Sequence, residues 1–184
     1  MSAVFTYSNP RVIRWGPGSV AHLGAELGRL KVTRLGVVTT RSLLGSIDRL
    51  GVDPVATVTI GQHAPMTDVD AAGREAAEAG VDGLVSFGGG SAIDGAKMLA
   101  VRLADHHGHA ERGLPHVAIP TTLSAAELAG GAGYTNEKGD KAGLRDPRLL
   151  ADSVIYDAEL ALSTPMALWL STGRRSARWP GNWP

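Results

Sequence analysis

Three consecutive glycines and a serine form the stretch of this chain that most directly indicates chemistry. Gly88, Gly89, Gly90 and Ser91 follow the apolar run 84–87, and a helical pattern of apolar residues begins directly after them. A strand, a glycine turn and a helix together form an arrangement that binds phosphate. The glycines let the backbone approach the anion, and the free N–H groups of the helix meet its charge. We therefore predict a phosphate site here, with Ser91 as the helix N-cap or as a direct hydroxyl donor.

The spacing of these glycines matches neither the Gly-x-Gly-x-x-Gly pattern nor the P-loop pattern. A tight turn between a strand and a helix could require the glycines without any ligand. Asp94 and Lys97 favour the phosphate interpretation, because they lie on the first two turns of the predicted helix. The alternative for this pair is a solvent-exposed ion pair three residues apart, which contributes little to stability.

Composition excludes several classes of protein. The 184 residues contain 18 Lys and Arg against 18 Asp and Glu, so the formal charge is zero and no basic surface for nucleic acid or anionic membrane is indicated. Cysteine is absent, which removes disulfides, zinc–thiolate sites and a cysteine nucleophile. The first ten residues lack a signal-peptide pattern, and no apolar run is long enough to span a membrane. We expect a cytoplasmic protein with a small-molecule substrate, and leave open a homodimer.

Strand-like and helix-like patterns alternate along the chain. Strands are predicted at residues 5–7, 11–15, 35–39, 55–60, 84–87, 116–119 and 154–156, with helices beginning near Ser19, near Thr67 and after the glycine turn. Residues 130–141 are polar and glycine-rich and predict a hairpin or loop. This order predicts an α/β fold with a doubly wound parallel sheet.

Small polar residues and glycines lie at three of the predicted strand ends. These are Thr39 with Thr40, the turn 88–91, and Thr121 with Thr122. Ligands of doubly wound sheets bind at the carboxyl ends of the strands, so we expect the three ends to meet in one crevice.

A histidine-rich segment offers a second candidate site. Asp105, His106, His107, His109 and Glu111 lie within seven residues and could bind zinc or nickel. The segment falls between a predicted helix and a strand, so a surface loop is the favoured interpretation.

Several single residues have a structural and a functional interpretation. We interpret His22 and His63 as solvated, His116 as structural, and Trp15 and Trp169 as core or domain-contact residues. Glu127 either helps to orient the site or is a carboxylate on a helix face.

Taken together, the motifs resemble those of the iron-containing alcohol dehydrogenase family, in the branch that contains the maleylacetate reductases. The resemblance covers residues 5 to about 173. It rests on Phe5-x-Tyr7, on residues 11–18, on the Gly-Gly-Gly-Ser turn with Asp94 and Lys97, on residues 119–122 with Glu127, and on Lys141, residues 145–147 and 154–157.

The resemblance implies a Rossmann-like dinucleotide-binding domain at residues 1–173. Gly88, Gly89, Gly90 and Ser91 with Asp94 would form the pyrophosphate turn, Thr121 and Thr122 would line the nicotinamide side, Thr39 and Thr40 the adenosine side, and Lys141 would reach the cofactor. Relatives often carry an acidic residue near Thr40 that binds the ribose and favours NAD. None is present here, and Arg41 could accept a 2′-phosphate, so NAD and NADP both stay open.

The resemblance also implies an NAD(P)-dependent oxidoreductase that acts on an alcohol, an aldehyde or a maleylacetate-like substrate. A divalent metal, iron or zinc, would polarise the substrate oxygen. The alternatives are a non-catalytic nucleotide-binding module, and a metal-dependent lyase or glycerol-type dehydrogenase of the same superfamily.

The last residues depart from the family pattern. The family continues after Gly173 into a helical domain with metal ligands, whereas residues 174–184 contain three arginines, two tryptophans and two prolines and no acid. We expect that the metal domain and its ligands are absent here and that residues 174–184 are a disordered tail. A frame-shifted reading of the gene and a genuine short form are both compatible with this segment. The apolar surface that the helical domain covers in the family would then be exposed, and it would favour self-association.

Overall fold

Six parallel strands form the main sheet. The computed structural model describes residues 10–109 and 111–176. With the two strands of a separate hairpin, the described residues form eight strands, which are β1 (Val12–Trp15), β2 (Leu35–Thr39), β3 (Ala56–Thr59), β4 (Gly83–Gly88), β5 (His116–Pro120), β6 (Gly131–Thr135), β7 (Lys141–Arg145) and β8 (Ser153–Tyr156). Their order across the sheet is β1-β8-β5-β4-β2-β3, while β6 and β7 form a separate antiparallel hairpin.

Helices cover both faces of this sheet. They are α1 (Leu23–Leu30), α2 (Met66–Glu78), α3 (Gly90–His106), α4 (Ala158–Ala161) and α5 (Met166–Ser176), with 3₁₀ helices at Ser19–His22, Arg41–Leu50, Ala126–Leu128 and Pro147–Leu149. Successive side chains of a strand point to opposite faces. Val38 accordingly packs in one core with α2 and α3, and Val37 packs in another with α1 and α4. The predicted doubly wound parallel fold is confirmed.

The order of the strands reverses direction between β2 and β4. From β2 the chain continues to β3 on one side, and it then returns to β4 on the other side, followed by β5. Such a switch point opens a crevice at the carboxyl ends of the two strands, because the connections leave in opposite directions. The glycine turn therefore lies where a doubly wound sheet binds its ligands.

The predicted elements agree with the structure apart from the beginning of the first helix. Ser19 does not cap that helix, because it lies inside a 3₁₀ turn preceded by Gly18. Its hydroxyl instead donates to the carbonyl oxygen of Tyr156 at 3.1 Å. The predicted hairpin after residue 130 is present as β6 and β7. The predicted strand at residues 5–7 and the segment 177–184 lie outside the described residues, whereas 174–176 belong to α5.

The most exposed large apolar side chains lie on β1 and in the region of α5. Trp15, on edge strand β1, is 78% exposed, so the interpretation as a core residue is wrong. Leu162, Met166 and Leu170, before and along α5, are also exposed. None of the helices described here combines the length and the apolarity needed to cross a membrane.

Candidate functional site

The glycine turn joins β4 to α3 without a side-chain cap. Gly88 has a φ of +148°, which favours glycine, and Gly89 is the N-cap of the 17-residue helix. Of the two roles predicted for Ser91, that of N-cap is therefore wrong, because the helix already begins at Gly90. The Ser91 hydroxyl accepts a hydrogen bond of 2.9 Å from the backbone N–H of His63. With no capping side chain at Gly89, the first N–H groups of α3 are available to an anion.

The turn packs closely against the segment that follows β5. A Cβ at Gly89 would lie 2.9 Å from Cγ2 of Thr122, and a Cβ at Gly90 would lie 3.3 Å from Cβ of Ser124. The backbone N–H of Thr121 also donates to the carbonyl oxygen of Gly88 at 2.9 Å. A side chain at position 89 would displace Thr122 and one at position 90 would press against Ser124, so the absence of side chains lets the turn pack against this segment.

Hydrogen bonds bring the three predicted strand ends together. The Thr39 hydroxyl is buried and donates to the carbonyl oxygen of Phe87 at 2.7 Å, so it ties β2 to β4. The hydroxyl oxygens of Thr40 and Ser42 lie 3.1 Å apart at the exposed side of the crevice. Thr39 shapes the crevice through its contact with β4, whereas Thr40 lies at its edge.

The loop after β3 forms a rim beside the glycine turn. His63 is half-buried rather than solvated, and its carbonyl oxygen accepts from the hydroxyl of Thr135 at 3.3 Å. Thr135 pairs with Lys141 in the β6–β7 hairpin. Because of this pairing, Lys141 lies at the hairpin end nearest to His63, and its side chain is exposed. His63 is a site residue that the sequence interpretation missed, since its contact with Ser91 spans 28 positions.

Asp94 holds the hairpin to α3. Its carboxylate accepts from the backbone N–H of Gly133 at 3.1 Å, and it lies 3.9 Å from the ammonium of Lys97. Burial raises the pKa of Asp94 above its ordinary value, although the Gly133 hydrogen bond and Lys97 oppose this effect. Asp94 thus positions the hairpin that carries Lys141.

Lys97 is a completely buried cation. Its ammonium donates to the carbonyl oxygens of Ala126 at 2.5 Å, Ala129 at 2.7 Å and Gly131 at 2.8 Å. Burial lowers the pKa of Lys97, because desolvation penalises the charged form. The alternative of a solvent-exposed ion pair with Asp94 is wrong.

A cavity of about 590 Å³ opens next to the glycine turn, beyond the ends of β5 and β8. Its lining is mostly apolar and includes Pro120, Leu123, Leu128 and Trp169, and it also contains Thr121, Thr122, Glu127, Tyr156 and Asp157. A volume of this size accommodates a small molecule or part of a larger cofactor.

Glu127 and Tyr156 form a polar pair in the wall of this cavity. Glu127 lies in the 3₁₀ turn Ala126–Leu128, and its Oε1 accepts from the Tyr156 hydroxyl at 2.8 Å. Glu127 is 3% exposed, so it is not a carboxylate on a solvated helix face. Tyr156 was not predicted as a site residue. Its position as the last residue of a strand, at the ligand-binding edge of the sheet, is the signal that could have found it.

The histidine-rich segment does not form a metal centre within the described residues. Among residues 10–109 and 111–176, no group of three or more His, Asp and Glu side chains could hold a metal ion. Asp105 is instead paired with Arg148, with 2.6 Å between its Oδ1 and Nη1 of the arginine.

His116 is a buried, structural histidine. Its Nε2 lies 2.8 Å from the hydroxyl oxygen of Ser86 on the neighbouring strand. Burial, with a smaller contribution from Lys97, lowers the pKa of His116 to about 3. The ring is therefore neutral at physiological pH, and it lies at the amino end of β5, away from the crevice.

Comparison with known proteins identifies one family. A sequence model of the iron-containing alcohol dehydrogenase family matches residues 10–158. The maleylacetate reductase of Pseudomonas sp. (strain P51) is 38% identical over 169 residues, which cover 89% of this chain and 45% of that protein. The chain therefore spans about half the length of the curated relatives it matches.

Solved structures show the same likeness. The maleylacetate reductase of Agrobacterium tumefaciens matches with a TM-score of 0.80 and 31% identity, over 94% of this chain and 48% of that one. The sulfoacetaldehyde reductase of Bifidobacterium kashiwanohense, solved in complex with NAD+, matches with a TM-score of 0.82 and 26% identity, over 95% of this chain and 51% of that one.

Proposed function

This chain belongs to the iron-containing alcohol dehydrogenase family, and on that premise we propose that it supplies the coenzyme-binding part of an NAD(P)-dependent oxidoreductase. The substrate class is a maleylacetate-like compound, an alcohol or an aldehyde, because the relatives include maleylacetate reductases. Residues 1–173 act as the dinucleotide-binding domain in this proposal. No relative named above is a nucleotide-binding module without catalysis.

The close packing of the glycine turn is the observation that carries the proposal. A Cβ at position 89 would lie 2.9 Å from Cγ2 of Thr122 and would displace it, and α3 begins at the next residue. The backbone N–H groups at the start of the helix can therefore bind a pyrophosphate, and the helix dipole favours the negative charge of that group. Gly89 and Gly90 bind the pyrophosphate, and Ser91 adds a hydroxyl group held in place by His63.

Other residues orient the rest of the coenzyme. Thr121 and Thr122 lie between the glycine turn and the cavity, so they border the nicotinamide end. Thr39 and Thr40 lie at the end of β2, on the opposite side of the turn, and border the adenosine end. Lys141 approaches from the hairpin. The NAD+ complex of the sulfoacetaldehyde reductase supports a nicotinamide coenzyme in this fold.

When bound, the coenzyme would exchange a hydride with a substrate carbon, and a divalent metal, iron or zinc, would polarise the substrate oxygen as a Lewis acid. The described residues offer no group that could hold such a metal. Their part in the reaction is to bind the coenzyme, to orient its nicotinamide end, and to exclude water with the apolar wall of the cavity.

Titration calorimetry with ADP-ribose tests the proposal directly. We expect the wild-type chain to bind it, and we expect Gly89→Ala to weaken binding on the order of tenfold, about 1.4 kcal/mol, because the new methyl group displaces Thr122. Gly28→Ala is the matched control, since a Cβ at this exposed position of α1 meets nothing within 4 Å. Absence of binding to the wild-type chain would contradict the proposal.

A further inference from the structure

Ala125 has a backbone conformation that residues with a side chain rarely adopt. Its φ is +55° and its ψ is +20°, and it directly precedes the 3₁₀ turn Ala126–Leu128. In this left-handed conformation the Cβ of an L-residue comes too close to the following carbonyl oxygen, which costs free energy that glycine does not incur. The segment between β5 and β6 is therefore strained at Ala125.

Two buried polar atoms of the same segment also lack a partner. Oγ1 of Thr122 and Oε2 of Glu127 have no hydrogen bond within the described part of the chain. Desolvation of such atoms costs free energy that no contact offsets. The third atom of this kind, Nδ1 of His116, lies at the other end of β5. Backbone strain and unsatisfied polar atoms thus coincide within residues 122–127.

Hydrogen bonds fix the segment on both sides of residues 122–125. The carbonyl oxygen of Thr121 accepts from the hydroxyl of Thr164 at 2.8 Å. The carbonyl oxygen of Ala126 accepts from the buried ammonium of Lys97 at 2.5 Å. We call residues 122–125 the flap, because this stretch can change its conformation while both anchors stay in place.

The flap contributes little to the apolar core. Thr122 is buried, whereas Leu123 is 40% exposed and Ala125 is exposed as well. The hydroxyl oxygen of Ser124 accepts from the N–H of Ala126 at 3.4 Å, which is long for a hydrogen bond. A change of conformation in the flap therefore sacrifices little apolar burial.

The flap lies directly against the glycine turn. A Cβ at Gly89 would lie 2.9 Å from Cγ2 of Thr122, and a Cβ at Gly90 would lie 3.3 Å from Cβ of Ser124. The first N–H groups of α3, which bind the pyrophosphate in the proposed function, belong to the same turn. A diphosphate bound there adjoins the flap, so the ligand and the flap act on each other directly.

We infer that the flap has two conformations, and that a diphosphate bound at the glycine turn releases it from the strained one, with Ala125 as the hinge. The inference rests on the proposed function and deepens it, because it adds a conformational switch to the same site. In the free protein the contacts of the flap with the turn outweigh the strain. In the complex the ligand replaces these contacts, and the release of strain contributes to the affinity.

The variant Ala125→Gly tests the inference through two measurements on the whole chain. Glycine adopts a positive φ without strain, so urea unfolding should give an unfolding constant about threefold lower than that of the wild type. Glycine stabilises the strained conformation and not the released one. Calorimetric titration should therefore show that the variant binds ADP-ribose on the order of fivefold more weakly.

Lys31→Gly is the matched control. Lys31 also has a positive φ, +60°, but it is the exposed C-cap of α1 and precedes the amino end of β2, whereas the glycine turn follows the carboxyl end of β4. This variant should gain similar stability, because glycine is the favoured residue at such a cap. Its affinity for ADP-ribose should stay within about twofold of wild type, since distant sites act independently.

A second substitution at the hinge separates strain from flexibility. Asparagine adopts the left-handed conformation more readily than alanine does, but it lacks the conformational freedom of glycine. Ala125→Asn should therefore also weaken the binding of ADP-ribose, by about twofold or more.

The outcomes distinguish the inference from the proposal on which it rests. If Ala125→Gly gains stability but binds ADP-ribose like the wild type, the strain persists in the complex, so the inference is overturned and the coenzyme site stands. The same holds if Ala125→Gly gains no stability, or if Ala125→Asn leaves the affinity unchanged. If the wild-type chain does not bind ADP-ribose, the proposed function and the inference are both overturned.

Discussion

The ammonium nitrogen of Lys97 lies 2.5 Å from the carbonyl oxygen of Ala126. This contact joins the helix behind the glycine turn to the residue directly before Glu127. The same ammonium binds the carbonyls of Ala129 and Gly131, so one buried cation organises the whole segment between β5 and β6. The phosphate turn and the cavity wall are therefore parts of one connected structure.

Replacement of Lys97 by methionine should destabilise the protein. The apolar side chain fills a similar volume but removes the ammonium donor from three carbonyl oxygens, of which that of Ala126 keeps a partner in the N–H of Ala129 at 3.1 Å. We expect a loss of about 2–4 kcal/mol in the free energy of unfolding. Urea unfolding followed by circular dichroism measures this change.

Lys141→Met is the control for that experiment. It removes the same charge from an exposed position of β7, so its effect should stay within about 0.5 kcal/mol. Equal stability of the two variants would show that the buried ammonium contributes nothing to holding the segment.

The burial of Lys97 could have been expected in part from the sequence. Lys97 follows Ile93 by four residues and precedes Ala100 by three, so it shares the apolar face of α3. Its partners could not be predicted, because they lie 29 to 34 residues further along the chain in a segment without regular periodicity. Periodicity locates a face of a helix, whereas tertiary contacts decide what that face meets.

The two predicted serine caps failed for a related reason. The cap positions are taken by Gly89, two residues before Ser91, and by Gly18, directly before Ser19, and each serine hydroxyl bonds a distant backbone group instead. The strands, by contrast, were predictable to within one or two residues, since fully buried parallel strands are continuous apolar runs.

Asp157 should be a major contributor to stability. Its buried carboxylate accepts from the backbone N–H groups of Gly18 at 3.2 Å, Val20 at 2.9 Å and Glu159 at 3.0 Å, which ties the loop after β1 to the start of α4. Asp157→Ala should cost about 2–4 kcal/mol, because three donors lose their acceptor. Thermal and urea unfolding measure the loss.

The exposed Asp53 provides the comparison for Asp157. Asp53→Ala removes the same charge without a buried partner, so a change within about 0.5 kcal/mol is expected. A similarly small change for Asp157→Ala would refute the capping role.

The buried neutral His116 should make stability depend on pH. Burial lowers its pKa in the folded protein to about 3, whereas the unfolded chain has an ordinary value near 6.5. Below pH 6.5 the unfolded state therefore binds a proton that the folded state does not, and stability falls as the pH falls. Between pH 7.5 and 5.5 the contribution of His116 should decrease by about 1.4 kcal/mol.

His116→Gln isolates this contribution, because glutamine does not titrate. The unfolding free energy of the wild type should fall relative to that of the variant as the pH is lowered through that range, by about 1.4 kcal/mol. Parallel curves for the two proteins would mean that His116 titrates alike in the folded and unfolded states.

The choice between NAD and NADP depends on the end of β2. The segment Thr39-Thr40-Arg41 carries no carboxylate to bind a ribose 2′-hydroxyl, and Arg41 is exposed directly after the strand. A guanidinium binds phosphate through paired, charge-assisted hydrogen bonds. Arg41→Ala should therefore weaken the binding of NADP+ on the order of tenfold, while the affinity for NAD+ should change by less than about twofold.

Arg11→Ala is the control, because it removes an exposed charge before β1, and it should change the affinity for neither coenzyme. Calorimetric titration of both coenzymes decides the question, because an equal loss for NAD+ and NADP+ would place Arg41 at a part that the two molecules share.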